Sequence, residues 1–167
     1  TARMRQGVDA ADDTGKRLLA FVALQVEWMH ARPNGFKLVT RELMDNAELE
    51  IDGALSASGA TLELIEMMDR AGPYGSGNPS PVLVFPNHRV QHARIVGSGH
   101  VSFSLAAGDN SSMQAIAFRA EGTPLGNLIH ANIGHPIHVA GTISINHFNG
   151  RRTVQLRATD AAVPSKF

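Results

Sequence analysis

From residue 88 onward the chain repeats a pattern that few folds accommodate: three strand-like runs, one short helix-like run, then two more strand-like runs. The first three span His88 to Gly97, His100 to Ala106 and Met113 to Phe118, with glycine-bearing turns around the second. In the second run Val101, Phe103 and Leu105 fall on one face, the period of two that a half-buried strand requires. Thr123-Pro124 then predicts a helix to about Ala131, with Thr as N-cap and Pro at the first helical position. Ile137, Val139, Ile143 and Ile145 alternate along the fourth strand, and Val154 and Leu156 along the fifth. Asn149-Gly150 between them is the strongest short hairpin signal a sequence can carry, because both residues tolerate the positive φ of a tight two-residue turn.

Three strands, a helix and two strands is the layout of an OB-type barrel, a five-stranded Greek key. A different small sheet with the same element order is the alternative. Upstream, the chain reads as mainly helical. Asp12 and Asp13 precede Leu18, Leu19, Phe21, Val22, Leu24, Val26, Trp28 and Met29, an apolar stripe that stops before the turn Pro33-Asn34-Gly35. A short strand is expected around Glu48 to Gly53, and a second helix from about Thr61 to Ala71, with Thr61 as N-cap and Leu62, Leu64, Ile65 and Met68 inward. Gly72 to Pro81 sustains neither helix nor ladder. The expected class is therefore α+β: a mainly helical segment over 1–79 and a barrel domain over 80–167.

Cysteine is absent, which excludes disulfides and thiolate metal sites and suits a cytoplasmic protein. No run approaches the roughly 18 apolar residues of a membrane helix. The first sixteen residues do not read as a signal peptide, and a start at Thr1 suggests a piece of something longer. The zero net charge is uneven: eight Lys/Arg against twelve Asp/Glu up to Pro79, and seven against three beyond it, with seven of the eight histidines also in the second part. Either the basic half meets a polyanion, or the imbalance is the chance unevenness of a short chain.

Gly75-Ser76-Gly77-Asn78-Pro79-Ser80-Pro81, directly after a Leu/Glu-rich helix, resembles the Pro-Phe-Gly-x-Gly-Asn-Pro-x-Pro signature of RecJ-type exonucleases, with Tyr74 where Phe is usual. Leu49-Glu50-Ile51-Asp52-Gly53 is similar to the segment these proteins carry before that helix. Asn146-His147-Phe148-Asn149-Gly150 with Val154-Gln155-Leu156 is similar to their last hairpin, where the Phe148 position is often Trp. The resemblance covers about Ala47 to Ala162. It implies a C-terminal part of an enzyme that degrades single-stranded DNA from the 5′ end, in DNA repair and recombination, with Mn or Mg held by an N-terminal DHH domain. No Asp-His-His occurs in this sequence, so the catalytic core and its metal are expected elsewhere in a parent chain, and no metal or cofactor is expected in this one. Residues 1–79 would then hold the end of a DHH-associated domain.

Single-strand binding needs cations that follow phosphates and flat groups on which bases stack. With Val154 and Leu156 inward, Arg151, Thr153, Gln155 and Arg157 are expected outward, and His138, Thr142, Ser144 and Asn146 should form the matching face of the fourth strand. His147 and Phe148 at the turn are candidate stacking groups, Phe148 equally a hairpin plug. Arg94, Arg119 and Arg152 are further candidate cations. The expected partners are single-stranded DNA, the catalytic domains of the parent chain and repair proteins, with no membrane.

Other chemistries fit poorly. A phosphate cradle at Gly72 to Gly77 would have to precede a helix, whereas here a helix precedes it. His88 with His92, and His135 with His138, have spacings unsuited to shared zinc ligation on a strand. Gly97-Ser98-Gly99 is too short for a nucleophile elbow. A rival role remains open, in which the barrel is a protein-interaction or bracing module that touches DNA little.

Overall fold

The structure, a computed structural model, describes residues 51–75 and 78–164, and of Phe148 only the backbone. The helix and turn expected before residue 36, the strand residues Glu48 to Glu50, and Ser76-Gly77 lie outside the described residues. The mainly helical character expected for 1–79 is not what residues 51–79 show. They hold a two-residue strand β1 (Gly53–Ala54), a 3-10 turn (Ala57–Gly59) and one helix, α1 (Leu62–Ala71). Then come β2 (Leu83–Val96), β3 (His100–Ala106), β4 (Ser112–Ala117), helix α2 (Pro124–Ala131), β5 (Pro136–Phe148) and β6 (Arg151–Ala162).

β2 to β6 close into a five-stranded barrel. β2 pairs antiparallel with β3 through its second half and with β5 through its first. β3 pairs antiparallel with β4, β5 with β6, and the parallel pair β4–β6 shuts the ring. This is the OB arrangement expected from the order of elements. β2 begins at Leu83, five residues before the predicted start. Pro86 lies where the β2–β5 register shifts between Phe85 and His88, so its missing N–H removes no regular ladder bond.

Alternation sorts the side chains. Ala93, Phe103, Ala115, Leu156 and Ile143 occupy one rung and point inward, and all but Ala93 are buried. Both helices start on the predicted caps: Thr61 accepts from the Leu64 N–H, and Thr123 from the Gly126 N–H. α2 follows the end of β4 and seats Gly126 so close to the preceding turn that a Cβ there would lie 1.9 Å from the Ala120 carbonyl oxygen. α1 instead reaches the start of β6, where Glu66 meets Arg152. Because β4 and β6 run parallel, the two helices lie at opposite ends of the barrel. Leu64, Ile65 and Met68 of α1 join the same core cluster as Phe85, Phe103 and Leu156.

Residues 51–60 are bound to the barrel by polar contacts, one of them fully buried. The Asp52 N–H donates to the Val82 carbonyl at 2.8 Å, and the Asp52 carboxylate accepts from the Val82 N–H at 2.7 Å. Ala54, Val84 and Ala140 form a small second core outside the barrel. The buried Ala57 N–H donates to His88 Nε2 at 3.0 Å, so His88 carries its proton on Nδ1, 2.8 Å from the Pro86 carbonyl. Burial holds the His88 pKa below the ordinary 6.5, the Pro86 bond opposing it in part. In the β3–β4 turn the Ser111 hydroxyl and N–H donate to the Asp109 carboxylate, and with a further bond from Ser58 they hold its carboxyl down at about 2. In the connecting segment, Tyr74 donates to the Met68 carbonyl and turns the chain back over α1. Gly75 and Asn78 exchange both backbone bonds.

Candidate nucleic-acid interface

The outward side chains form rungs that run around the barrel. Arg94, Ser102, Ile116, Arg157 and Thr142 are successive partners across β2, β3, β4, β6 and β5. The next rung holds His92, Ser104, Gln114, Gln155 and Ser144. Neither rung contains an acid, and Arg94, Gln114 and Arg157 are exposed. Two arginines thus share one acid-free strip, polar except at Ile116 and with Ser104 buried, its Oγ donating to Gln91 Oε1, spread over strands that lie about 4.8 Å apart.

The predicted residues divide on this frame. Arg94, Gln155 and Arg157 lie on the two rungs. Arg151 follows the parity of Gln155 and Arg157 toward the hairpin end, and the Phe148 backbone pairs with it. Arg119 sits just past β4, at the rim of the same face, with φ 51 and its N–H donated to His100 Nδ1 at 2.9 Å. Arg152 and His147 pair with each other and have the opposite parity, and Arg152 is held by Glu66 at 2.7 Å. They do not join the outward strip. Stacking by Phe148 rests on a side chain outside the described residues.

Of the fourth-strand face, Thr142, Ser144 and Asn146 are outward as expected, but His138 is buried. Val84 and Ala140 on the same outer surface are covered with Ala54, and the Asn87 N–H donates to His138 Nδ1 at 3.1 Å. A contact with a segment some eighty residues upstream overrides the local pattern. His88, paired with His92 in the zinc reading, is likewise buried and fully engaged. Among the described residues no three His, Cys, Asp or Glu side chains gather to hold a metal, so this part of the chain does not fit one.

Phe118 carries no motif in the sequence that marks it as a site residue. It is 52 % exposed, follows Gln114 and Ile116 in parity, and ends the strip. The Arg157 guanidinium carbon lies 5.6 Å from its ring centroid, and His100 meets it edge-on at 5.1 Å. A cation and two flat rings at one corner of a basic face can hold a phosphate and stack a base. The inward run Met113, Ala115, Ala117 was the signal that could have placed Phe118 outward.

Comparison with known proteins agrees with this architecture. Residues 51–160 match the family model described as the RecJ OB domain. The single-stranded-DNA-specific exonuclease RecJ of Bacillus subtilis is 29 % identical over 117 residues, covering 68 % of this chain and 14 % of the relative. That of Escherichia coli is 30 % identical over 111 residues, covering 65 % and 18 %. The chain therefore spans less than a fifth of the length of either relative. The crystal structure of RecJ in complex with Mn2+ from Thermus thermophilus superposes with a TM-score of 0.52 at 24 % identity, over 71 % of this chain and 16 % of that one, a likeness of fold.

Proposed function

This chain belongs to the RecJ OB domain family, and on that premise we propose that its outward barrel face binds single-stranded DNA and guides it to a catalytic core carried by other parts of a longer, RecJ-like exonuclease. The observation that carries the proposal is the acid-free strip from Arg94 to Arg157, ending at Phe118. Arg94, Arg157, Arg151 and Arg119 contact phosphates. Phe118 and His100 stack bases, and Gln114 and Gln155 offer amide hydrogen bonds. Nothing in this arrangement reads a defined sequence.

In this reading hydrolysis, with its Mn or Mg, takes place in the parent chain, in the cytoplasm, during DNA repair and recombination. The described residues supply binding and orientation alone. Residues 1–79 hold the tail of a DHH-associated domain with its connecting helix and linker, and repair proteins are further partners of the parent.

Fluorescence anisotropy of labelled single-stranded and duplex oligonucleotides, titrated across salt, tests the proposal. Single strands should be preferred, with affinity falling steeply as salt rises. Arg157→Ala should flatten the log–log salt slope by about 0.7, the value of one lost single-strand phosphate contact. Phe118→Leu should weaken binding by about 1–3 kcal/mol with the slope unchanged, because stacking releases no counterions. Absence of binding by the folded chain even at about 50 mM salt would leave the barrel as a bracing or protein-docking module.

A further inference from the structure

The β5–β6 hairpin outgrows its barrel. β6 meets β4 only from Gln155 to Arg157, whereas the hairpin continues through Ile145–Val154, Asn146–Thr153, His147–Arg152 and Phe148–Arg151. Among the described residues those four rungs have no third strand, and an isolated two-stranded ribbon is marginal in water. Something must set its angle. On its inner side Ile145 and Val154 pack against the core that includes Leu64, Ile65 and Met68 of α1. Two rungs further out, Arg152 Nη2 lies 2.7 Å from Glu66 Oε1 of α1, the two side chains 46 % and 47 % exposed. Arg151, the next residue, has the opposite parity and faces the outward strip.

We propose that Arg152 is a positioning residue: by pairing with Glu66 it braces the hairpin on α1, so that Arg151 and the Asn149-Gly150 turn are held where they flank a single strand lying on the barrel. The inference rests on the single-strand reading above. It also assigns α1 a part in DNA binding although the helix presents Glu63 and Glu66 and is itself no surface for a polyanion.

The sign of one substitution separates this from simple charge bookkeeping. Glu66→Gln removes a negative charge from the protein, which by electrostatics alone raises affinity for DNA. A brace makes it fall. The expected losses are small, about twofold to fivefold, because a half-exposed ion pair contributes little.

In the 167-residue chain, Glu66→Gln and Arg152→Ala should each lower single-strand affinity by that factor and lower the salt slope equally, because both release the same Arg151 contact. The exchange of Glu66→Arg with Arg152→Glu should restore it. Hydrogen exchange should meanwhile speed up at residues 145–154 in both single variants and return to the parent rate in the exchanged pair. A slope about 0.7 lower in Arg152→Ala than in Glu66→Gln, or tighter binding by Glu66→Gln, makes Arg152 a phosphate ligand and overturns the proposal. If the unmodified chain binds no single strand, the functional reading fails, and hydrogen exchange alone decides the brace. Unchanged exchange in Glu66→Gln then overturns it.

Discussion

Replacing His88 by Phe should destabilise the protein at neutral pH and remove part of its acid sensitivity. His88 is 2 % exposed, and its Nε2 is the acceptor for the Ala57 N–H, itself buried. A phenyl ring fills most of the space but cannot accept that bond. An orphaned buried donor costs about 1–3 kcal/mol, and this is the expected loss at pH 7.5. The pH dependence follows from the lowered pKa. The folded state keeps His88 neutral while the unfolded chain takes up a proton near 6.5, so the stabilisation is complete above 6.5 and drains away as pH falls. The limiting slope is about 1.4 kcal/mol per pH unit until the folded-state pKa is reached. Urea unfolding of wild type and His88→Phe at pH 7.5 and pH 5.5 measures both effects. The gap between them should narrow at the lower pH, and His88→Gln, whose amide oxygen can accept from Ala57, should lie between them at pH 7.5. A gap that is absent at pH 7.5, or that does not change with pH, would refute the assignment of the Ala57 bond to a neutral imidazole.

Arg119 occupies the left-handed region, where a side chain is strained. Arg119→Gly should therefore raise the thermal midpoint, by up to about 1 kcal/mol of stability, while weakening single-strand binding in the anisotropy assay. Gly126→Ala must displace α2 from the Ala120 carbonyl. A loss of about 1–3 kcal/mol by chemical denaturation is expected, as for other overpacked sites. Asp109 holds three bonds that need its carboxylate, so wild type should lose their contribution as pH falls from 3.8 through about 2. Asp109→Asn should flatten the stability profile over that window, measured by acid unfolding.

Much of the barrel was legible because its signals are local. The caps Thr61 and Thr123, the Asn149-Gly150 turn and the inward Val154 and Leu156 depend on neighbours within four residues, and each behaves as its chemistry requires. Placing Gln155 and Arg157 on one face needed only the period of two. Contacts made at long range were out of reach. Nothing near His138 announces that a segment beginning at residue 51 will cover that surface. Arg152 finds its partner 86 positions away, and in sequence it is indistinguishable from Arg151. The parallel pairing of β6 with β4 brings Phe118 under Arg157, which turns an ordinary strand end into a corner of the candidate face.

A helix at each mouth and a filled centre leave this barrel no interior to offer. Whatever it holds must be wound over the outside, like thread on a spool. On the single-strand reading proposed above, grip on such a surface accumulates with length: a lone nucleotide touches one rung, whereas an oligomer crosses several and gains with each until the face is covered. The quantity that reading makes worth measuring is the length of strand at which affinity stops growing, which OB surfaces place between about 4 and 16 nucleotides.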